Sequence, residues 1–283
     1  MELSEIYQQH DLYNSEVKVS FEIFPPKDGD ISSLFDELRI LKRYNPVIVS
    51  LTYGANGGTR SFSIDILRMI LDLEMNAMPH FTCVCSSKEI IEHYINQIEN
   101  MGIENILALR GDIPDGVDVR NFDFKYANEL VEYIKDRTTL SIGVAGYPEG
   151  HIECDNLQKD IDNLKRKVDA GASAIFTQLF FENDKFFRYV ELVRNSGIDL
   201  PIIPGIMPIR NVKQIQKMTS MARIDIPREL VDIIDNHPDN VKKFGIDFVS
   251  RQCKDLIRFG VSGLHFFTLN HSDLTSQILD NIK

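Results

Sequence analysis

None of the four cysteines, Cys83, Cys85, Cys154 and Cys253, forms a C-x-x-C pair. Structural zinc sites and iron–sulfur clusters are commonly built on that spacing, so neither is expected and no metal site is assigned. Cys83 and Cys85 lie two apart in an apparent strand and read as ordinary reduced thiols sharing a face. That suits a cytosolic chain. No apolar run is long enough to span a bilayer. The N-terminal stretch MELSEIYQQHDLYNSEVK lacks the basic start and apolar centre of a signal peptide. Basic residues are also in deficit, with a formal net charge of −11 over 283 residues. That balance argues against nucleic acid or an anionic membrane as partner, although a local basic site can sit on an acidic surface. Absent too are the P-loop G-x-x-x-x-G-K-[ST], the Rossmann G-x-G-x-x-G, H-E-x-x-H and G-x-S-x-G; YGANGGT is glycine-rich with the wrong spacing. A dinucleotide, if bound, would have to be held outside a Rossmann unit.

What is present is alternation. VKVSFEIF, VIVSLTYG, AMPHFTC, NILALRGD, LSIGVAGYPEG, AIFTQLFF, PIIPGIMP and GLHFFTL read as strands. Helical spacing follows each: ISSLFDELRILKRY, RSFSIDILRMILDLE, SKEIIEHYINQIENM with a Ser cap, YANELVEYIKDR, NLQKDIDNLKRKVDAG stopped by Gly171, DKFFRYVELVRNSG, NVKQIQKMTS with the long VKKFGIDFVSRQCKDLIRFG, and a C-terminal helix. Strands separated by helices argue a parallel sheet, and eight such units argue a closed (β/α)₈ TIM barrel, with an open doubly wound sheet second. No linker, repeat or low-complexity tract interrupts 1–283, which is read as a single catalytic domain.

In such a barrel the site lies at the C-terminal ends of the strands. In SFEIFPP, Val19, Phe21 and Ile23 point one way and Ser20, Glu22 and Phe24 the other, and Pro25-Pro26 end the ladder. Glu22 therefore sits at a strand end. The other strand ends contribute Thr52-Tyr53-Gly54, His80, Arg110-Gly111-Asp112, Tyr147-Pro148-Glu149 and Gln178. Each alone has a plainer reading: a solvated carboxylate for Glu22, a hydrogen-bonded structural imidazole for His80. Collected on one rim, they argue a site. In NLQKDIDNLKRKVDAG, Leu157, Ile161, Leu164 and Val168 form a core stripe, and Asp160, Asn163 and Lys167 a stripe beside it that Arg166 extends. A solvated charged face is the plain reading. The functional one is a surface for a nucleotide's ribose and phosphates, with Arg110 as a further cation.

SFEIFPP, SLTYGA, PHFTC, LALRGD, GVAGYPEGH, NLKRKVDAGA, TQLFF, IIPGIMP and FFTLN occur in the order of the successive motifs of methylenetetrahydrofolate reductase. The chain resembles that family over almost its whole length, in the short bacterial form without a regulatory domain. The resemblance implies a cytoplasmic homo-oligomer holding FAD, which NADH or NADPH reduces. In a ping-pong cycle 5,10-methylenetetrahydrofolate then replaces the donor and becomes 5-methyltetrahydrofolate. It implies Glu22 as the general acid at folate N10, with Asp112 near both pterin and flavin. A carboxylic acid in that role must keep its proton near neutral pH; Phe21, Ile23 and Phe24, or Asp112, are the candidates for raising its pKa. FAD contacts are implied for Tyr53, Ala55, His80, Arg110, Gly111, Asp112, Ala127, Tyr147, His151, Asp160, Asn163, Arg166 and Lys167. Substrate contacts are implied for Thr52, Asp112, Gln178, Gln214 and His271. Met218 stands where some relatives have Phe, and His271 where many have Arg.

Three other readings compete. A Schiff-base lyase needs an inward lysine, and Lys18 lies too early in its strand. A catalytic subunit fed electrons by a partner protein would share every motif. A scaffold would have no use for Glu22, Asp112 and Gln178 together.

Overall fold

Eight parallel strands pair in chain order and close, β1 returning to β8. The computed structural model describes residues 2–7, 17–26, 29–52, 60–84, 86–113 and 122–283. The strands are β1 (Val19–Ile23), β2 (Ile48–Leu51), β3 (Ala77–Thr82), β4 (Asn105–Leu109), β5 (Ser141–Gly146), β6 (Ala174–Leu179), β7 (Ile202–Ile206) and β8 (Leu264–Phe267). Between them run α2 (Ile31–Lys42), α3 (Arg60–Asp72), α4 (Lys88–Asn100), α5 (Ala127–Lys135), α6 (Leu157–Asp169), α7 (Asn183–Asn195), α8 (Val212–Ala222), α9 (Arg228–Asn236) and α10 (Val241–Phe259), with α11 (Asp273–Ile282) closing the chain. This is the (β/α)₈ barrel that the alternation predicts.

Two helices are additions. α1 (Leu3–Tyr7) is too short to show a period. α9 follows Pro227, a helix-start signal, and carries Leu230, Ile233 and Ile234 at helical spacing, so its sequence signal was legible. β3 stops at Thr82, so Cys83 lies beyond the strand, buried in the core as a free thiol; its expected strand partner Cys85 lies outside the described residues.

Strand parity divides the core in two. Phe21, Ile23, Val49, Phe81, Ile106 and Val144 face outward and pack under the helices against Leu34, Leu38, Ile66, Ile91, Leu130 and Ile161. Inside the barrel, Ile48, Met78, Leu107, Ala174, Phe176 and Ile203 form a second cluster, joined by Leu3, Ile6 and Tyr7 of α1. The short helix is therefore a plug, tied in where the Leu3 amide donates to Ser141 Oγ at 2.9 Å. Burying each large apolar side chain contributes about 1.5–3 kcal/mol. Apolar packing fills the lower barrel, and polar side chains are left for the end where the strands finish.

Candidate active site

Glu22 ends the polar side of β1. Its backbone carbonyl accepts from both the amide (3.2 Å) and the Oγ1 hydroxyl (2.7 Å) of Thr268. One turn further, Asn270 brackets Phe24, donating from Nδ2 to its carbonyl at 2.7 Å and accepting its amide on Oδ1 at 2.9 Å. Leu269 and Asn270 are both left-handed, with φ of 51° and 60°, which turns the Asn side chain back along β1. Glu22 is thus held by strand pairing on both sides and by a side-chain clamp beyond.

Two imidazoles flank its carboxylate. Oε2 lies 3.6 Å from His80 Nε2 and 3.6 Å from His265 Nε2, and neither nitrogen has a formed hydrogen bond. His265 Nδ1 sits 2.8 Å from Ser20 Oγ, one pleat below Glu22 on the same face. Burial is the largest single influence on Glu22 and raises its pKa, but His80 and His265 together outweigh it and hold the carboxyl below its ordinary value. Burial pushes His80 down to about 4, against the pull of Glu22. The expected causes of a raised Glu22 pKa are therefore replaced. Phe21 and Ile23 point outward under the helices, and Asp112, exposed on the rim, is not among the influences on Glu22. Two imidazoles supply the local chemistry, and the cluster titrates as a unit.

Glu22, His80 and His265 line a cavity of about 460 Å³ with Thr52, Arg110, Gly111, Asp112, Tyr147, His151, Gln178 and Met218. Gln178 reaches it through a bulge. Phe176 pairs with Ile203 and Leu179 with Gly205, so β6 carries one extra residue, and Phe176, Thr177 and Gln178 all line the cavity. Thr177 Oγ1 accepts the Gly205 amide at 2.9 Å, and a Cβ on Gly205 would stand 2.3 Å from the Thr177 carbonyl, so glycine is needed for this approach. Gln178 Oε1 takes the Leu179 amide at 2.9 Å, leaving the NH₂ end to serve a ligand. At the end of β4, Gly111 has φ 84°, and a Cβ there would meet Thr82 Cβ at 2.9 Å.

A second cavity of about 460 Å³ opens beside the first and shares Leu109, Arg110, Ala145, Tyr147 and His151 with it. Ala127, Asp160, Asn163, Arg166 and Lys167 line it. The two stripes of α6 divide as expected: Ile161 and Leu164 are buried in the core, and the charged stripe faces this groove. Lys167 Nζ donates to the Ala145 carbonyl at 2.6 Å, and burial pulls its pKa down to about 8 against the attraction of Asp160. Burial likewise raises Asp160. Tyr147, pushed up to about 12 by burial, packs edge-on to His151 with centroids 4.7 Å apart. His151 Nδ1 accepts the Glu153 amide, so its proton sits on Nε2; burial and then Arg110 lower its pKa. Arg110 forks onto Glu153, with Nη2 2.7 Å from Oε1, and its Nε donates to the Gly111 carbonyl.

Most of the expected site residues are brought together in these two cavities. Tyr53 and Ala55 lie outside the described residues. Gln214 and His271 line neither cavity. Gln214 spends its side chain on the loop before α8, accepting from the Arg210 amide and donating to the Pro208 carbonyl. His271 lines a separate depression with Phe24, Leu269 and Asn270 and lies 4.0 Å from Glu37. Sequence reasoning missed Ser20 and His265 as site residues. Their signal was available: each is a polar residue inside an apolar strand, at positions that pair directly. Among the described residues no group of three or more His, Cys, Asp or Glu is placed to hold a metal ion. No helix is long and apolar enough to cross a membrane.

The fold and cavities define a barrel enzyme with a proton-handling cluster at the barrel mouth and a cationic groove beside it. The sequence matches the methylenetetrahydrofolate reductase family over residues 6–283, and the chain belongs to that family. It is similar to the 5,10-methylenetetrahydrofolate reductase of Escherichia coli (strain K12), with 37% identity over 93% of this chain and 90% of the relative. It is also similar to methylenetetrahydrofolate reductase (NADH) 1 of Arabidopsis thaliana, with 40% identity over 93% of this chain but only 48% of that longer protein. The chain thus spans about half the length of the plant relative. A solved Clostridium thermocellum protein, described as binding two copies of 5-methyl-5,6,7,8-tetrahydrofolic acid, shares the fold at 14% identity, with a TM-score of 0.65 over 96% of both chains.

Proposed function

We propose that this chain reduces 5,10-methylenetetrahydrofolate to 5-methyltetrahydrofolate, using FAD reduced by NADH or NADPH. The observation that carries the reading is the carboxylate of Glu22 between His80 and His265, in a cavity continuous with the cationic groove.

The residues fit the cofactor. Leu107, Leu109, Ala145 and Phe176 offer apolar cover for a ring system, beside Tyr147 and His151. Arg110, Arg166 and Lys167 offer cations for phosphates, and Asp160 and Asn163 partners for ribose hydroxyls. Bound and reduced, FAD would supply hydride to the one-carbon unit.

The protein's part is to position the folate and deliver one proton. The bridging carbon of the substrate is an aminal held by N5 and N10. Protonating N10 lets the C–N10 bond break, with its electron pair leaving on N10 and an N5-iminium remaining. Glu22 is the proton donor. In the structure its side chain keeps 18% exposure, and the imidazoles hold the carboxyl low. A folate seated over it removes that solvent contact. Burial, already the largest influence, then drives the cluster's proton onto Glu22. Thr52 and the Gln178 NH₂ line the same cavity and orient the pterin or, in the other half-reaction, the nicotinamide.

The test is the visible spectrum of the purified protein before and after anaerobic NADH, then NADPH. Flavin bands that bleach, and recolour on adding methylenetetrahydrofolate, are expected. Bands that bleach with neither dinucleotide point to a protein electron donor. A colourless protein that cannot be reconstituted with FAD overturns the reading.

A further inference from the structure

The barrel carries a polar chain that continues below the site. Glu22 faces His265 Nε2 at 3.6 Å, and His265 Nδ1 meets Ser20 Oγ at 2.8 Å. Beneath Ser20 lies the plug helix α1, whose Tyr7 is 1% exposed. The Tyr7 ring packs edge-on to Phe176, with centroids 5.8 Å apart, and Phe176 packs edge-on to His265 at 5.2 Å. Gly263 makes room for it, since a Cβ there would stand 2.8 Å from Tyr7 Cε1. The Tyr7 hydroxyl has no formed hydrogen bond, and Ser20 is the side chain that bears on it. Burial pushes the phenol far above its ordinary pKa, so it is a donor at every working pH. A buried phenol left without an acceptor is costly, by about 1–3 kcal/mol.

We propose that Tyr7 is a positioning residue for the site: by donating to Ser20 Oγ it turns the Ser20 proton onto His265 Nδ1 and so fixes the imidazole with its proton on Nε2, facing Glu22. Ser20 has two places to send its proton. The Leu264 carbonyl is 3.4 Å away, at the limit of a hydrogen bond, and His265 Nδ1 is 2.8 Å away. If Ser20 turns to Leu264, His265 must carry its proton on Nδ1 and present a bare Nε2 to Glu22. If Tyr7 donates into Ser20, the opposite tautomer holds. An Nε2–H steadies the Glu22 carboxylate, and a bare Nε2 does not. The groups that bear on Glu22 and His265 are His80 from β3 and Tyr7 from α1, while β2 offers only the hydroxyls of Ser50 and Thr52. None of them substitutes for Tyr7 on the Ser20 side.

The tautomer claim stands apart from the reductase reading, and its kinetic consequence rests on it. The test is Tyr7→Phe, which keeps the ring and its packing and removes one oxygen. In the ¹⁵N spectrum of the flavin-loaded protein, with the His265 signals identified by their loss in His265→Gln, the native ring should be Nε2–H. Tyr7→Phe should move it toward Nδ1–H. Ser20→Ala should remove the sensitivity, so that adding Tyr7→Phe changes nothing more. In the folate half-reaction the alkaline limb of the pH–rate profile should rise by about half to one unit in Tyr7→Phe, the shift expected from losing one hydrogen bond to the carboxylate. A folded Tyr7→Phe protein with an unchanged His265 tautomer overturns the proposal whatever the activity. A changed tautomer with an unmoved limb overturns its consequence for Glu22.

Discussion

The two cavities share a wall at Arg110, Tyr147 and His151 but are built in opposite ways. The axial cavity takes Glu22, His80, Gln178 and His265 from four strands, and each is fixed by ladder pairing, a bulge or the Asn270 clamp. The groove takes Asp160, Asn163, Arg166 and Lys167 from one helix, where spacing alone aligns them. Proton transfer depends on tenths of an ångström and is placed on strands. Anion binding tolerates longer reach and is placed on a helix with flexible cations. A substitution in the first cavity should act on one chemical step, and a substitution in the second on cofactor retention.

The largest effect should come from Glu22→Gln. The amide keeps the shape of the side chain but has no acidic proton. We expect flavin retention and flavin reduction by the dinucleotide to stay within about twofold, while the folate half-reaction falls by roughly 10²–10⁴, the usual contribution of a positioned acid. Stopped-flow measurement of the two half-reactions separates them. Normal folate reduction by this variant would remove Glu22 as donor and with it the division of labour between the cavities.

Lys167→Met tests the groove and should move affinity and stability in opposite directions. FAD affinity should fall about tenfold, the scale of one charge-assisted contact to phosphate. The flavin-free protein should become more stable. The folded pKa of Lys167 lies near 8 against 10.5 for the free side chain, so a penalty is fully present below pH 8 and is relieved as pH rises toward 10.5. Removing the amine lifts that penalty but strips the Ala145 carbonyl of its donor. After allowing for that loss and for residual solvent contact, a net gain of about 1 kcal/mol at pH 7 is expected. Equal flavin affinity, or a destabilised apoprotein, would break the contrast.

The same contrast explains what could be read without a structure. The groove was legible because a helix prints its face as a spacing, and Asp160, Asn163 and Lys167 share that face with no tertiary information. Of the axial cluster, Glu22 was legible because a charge before Pro25-Pro26 is conspicuous. His265 was not, because its meaning depends on β8 closing against β1, which places Ser20 opposite His265. The environment of Glu22 was therefore misjudged: its sequence neighbours Phe21 and Ile23 face the helices, and its spatial neighbours come from β3 and β8. Gln178 was legible as a strand-end residue, but the bulge that brings it in was not, since one extra residue in β6 shows only against β7. Gln214 and His271 show the limit of transferring positions: each sits at a matching place in the chain, yet local hydrogen bonding and a separate depression keep them off the cavities.

The smallest effect, and the one that sharpens the axial side, is the acid stability of the folded chain. His80 is held near 4 by burial, against 6.5 in the unfolded chain. Between those values the unfolded state binds a proton that the folded state refuses, so stability rises with pH across the window. The sign is fixed: no penalty above pH 6.5, a growing one as pH falls, and the full amount below about 4, on the order of 3 kcal/mol. Glu22, whose folded pKa is also lowered, adds its own loss only at the acid end. His80→Gln keeps a polar side chain and cannot charge. Thermal melts of native and His80→Gln protein from pH 7 to 4 should converge or cross, with the native curve falling by about 2–4 °C more for each kcal/mol the imidazole costs. Parallel curves would mean that His80 takes up its proton in the folded protein, so that the imidazole and Glu22 form an ion pair and the cluster's proton is stored on His80.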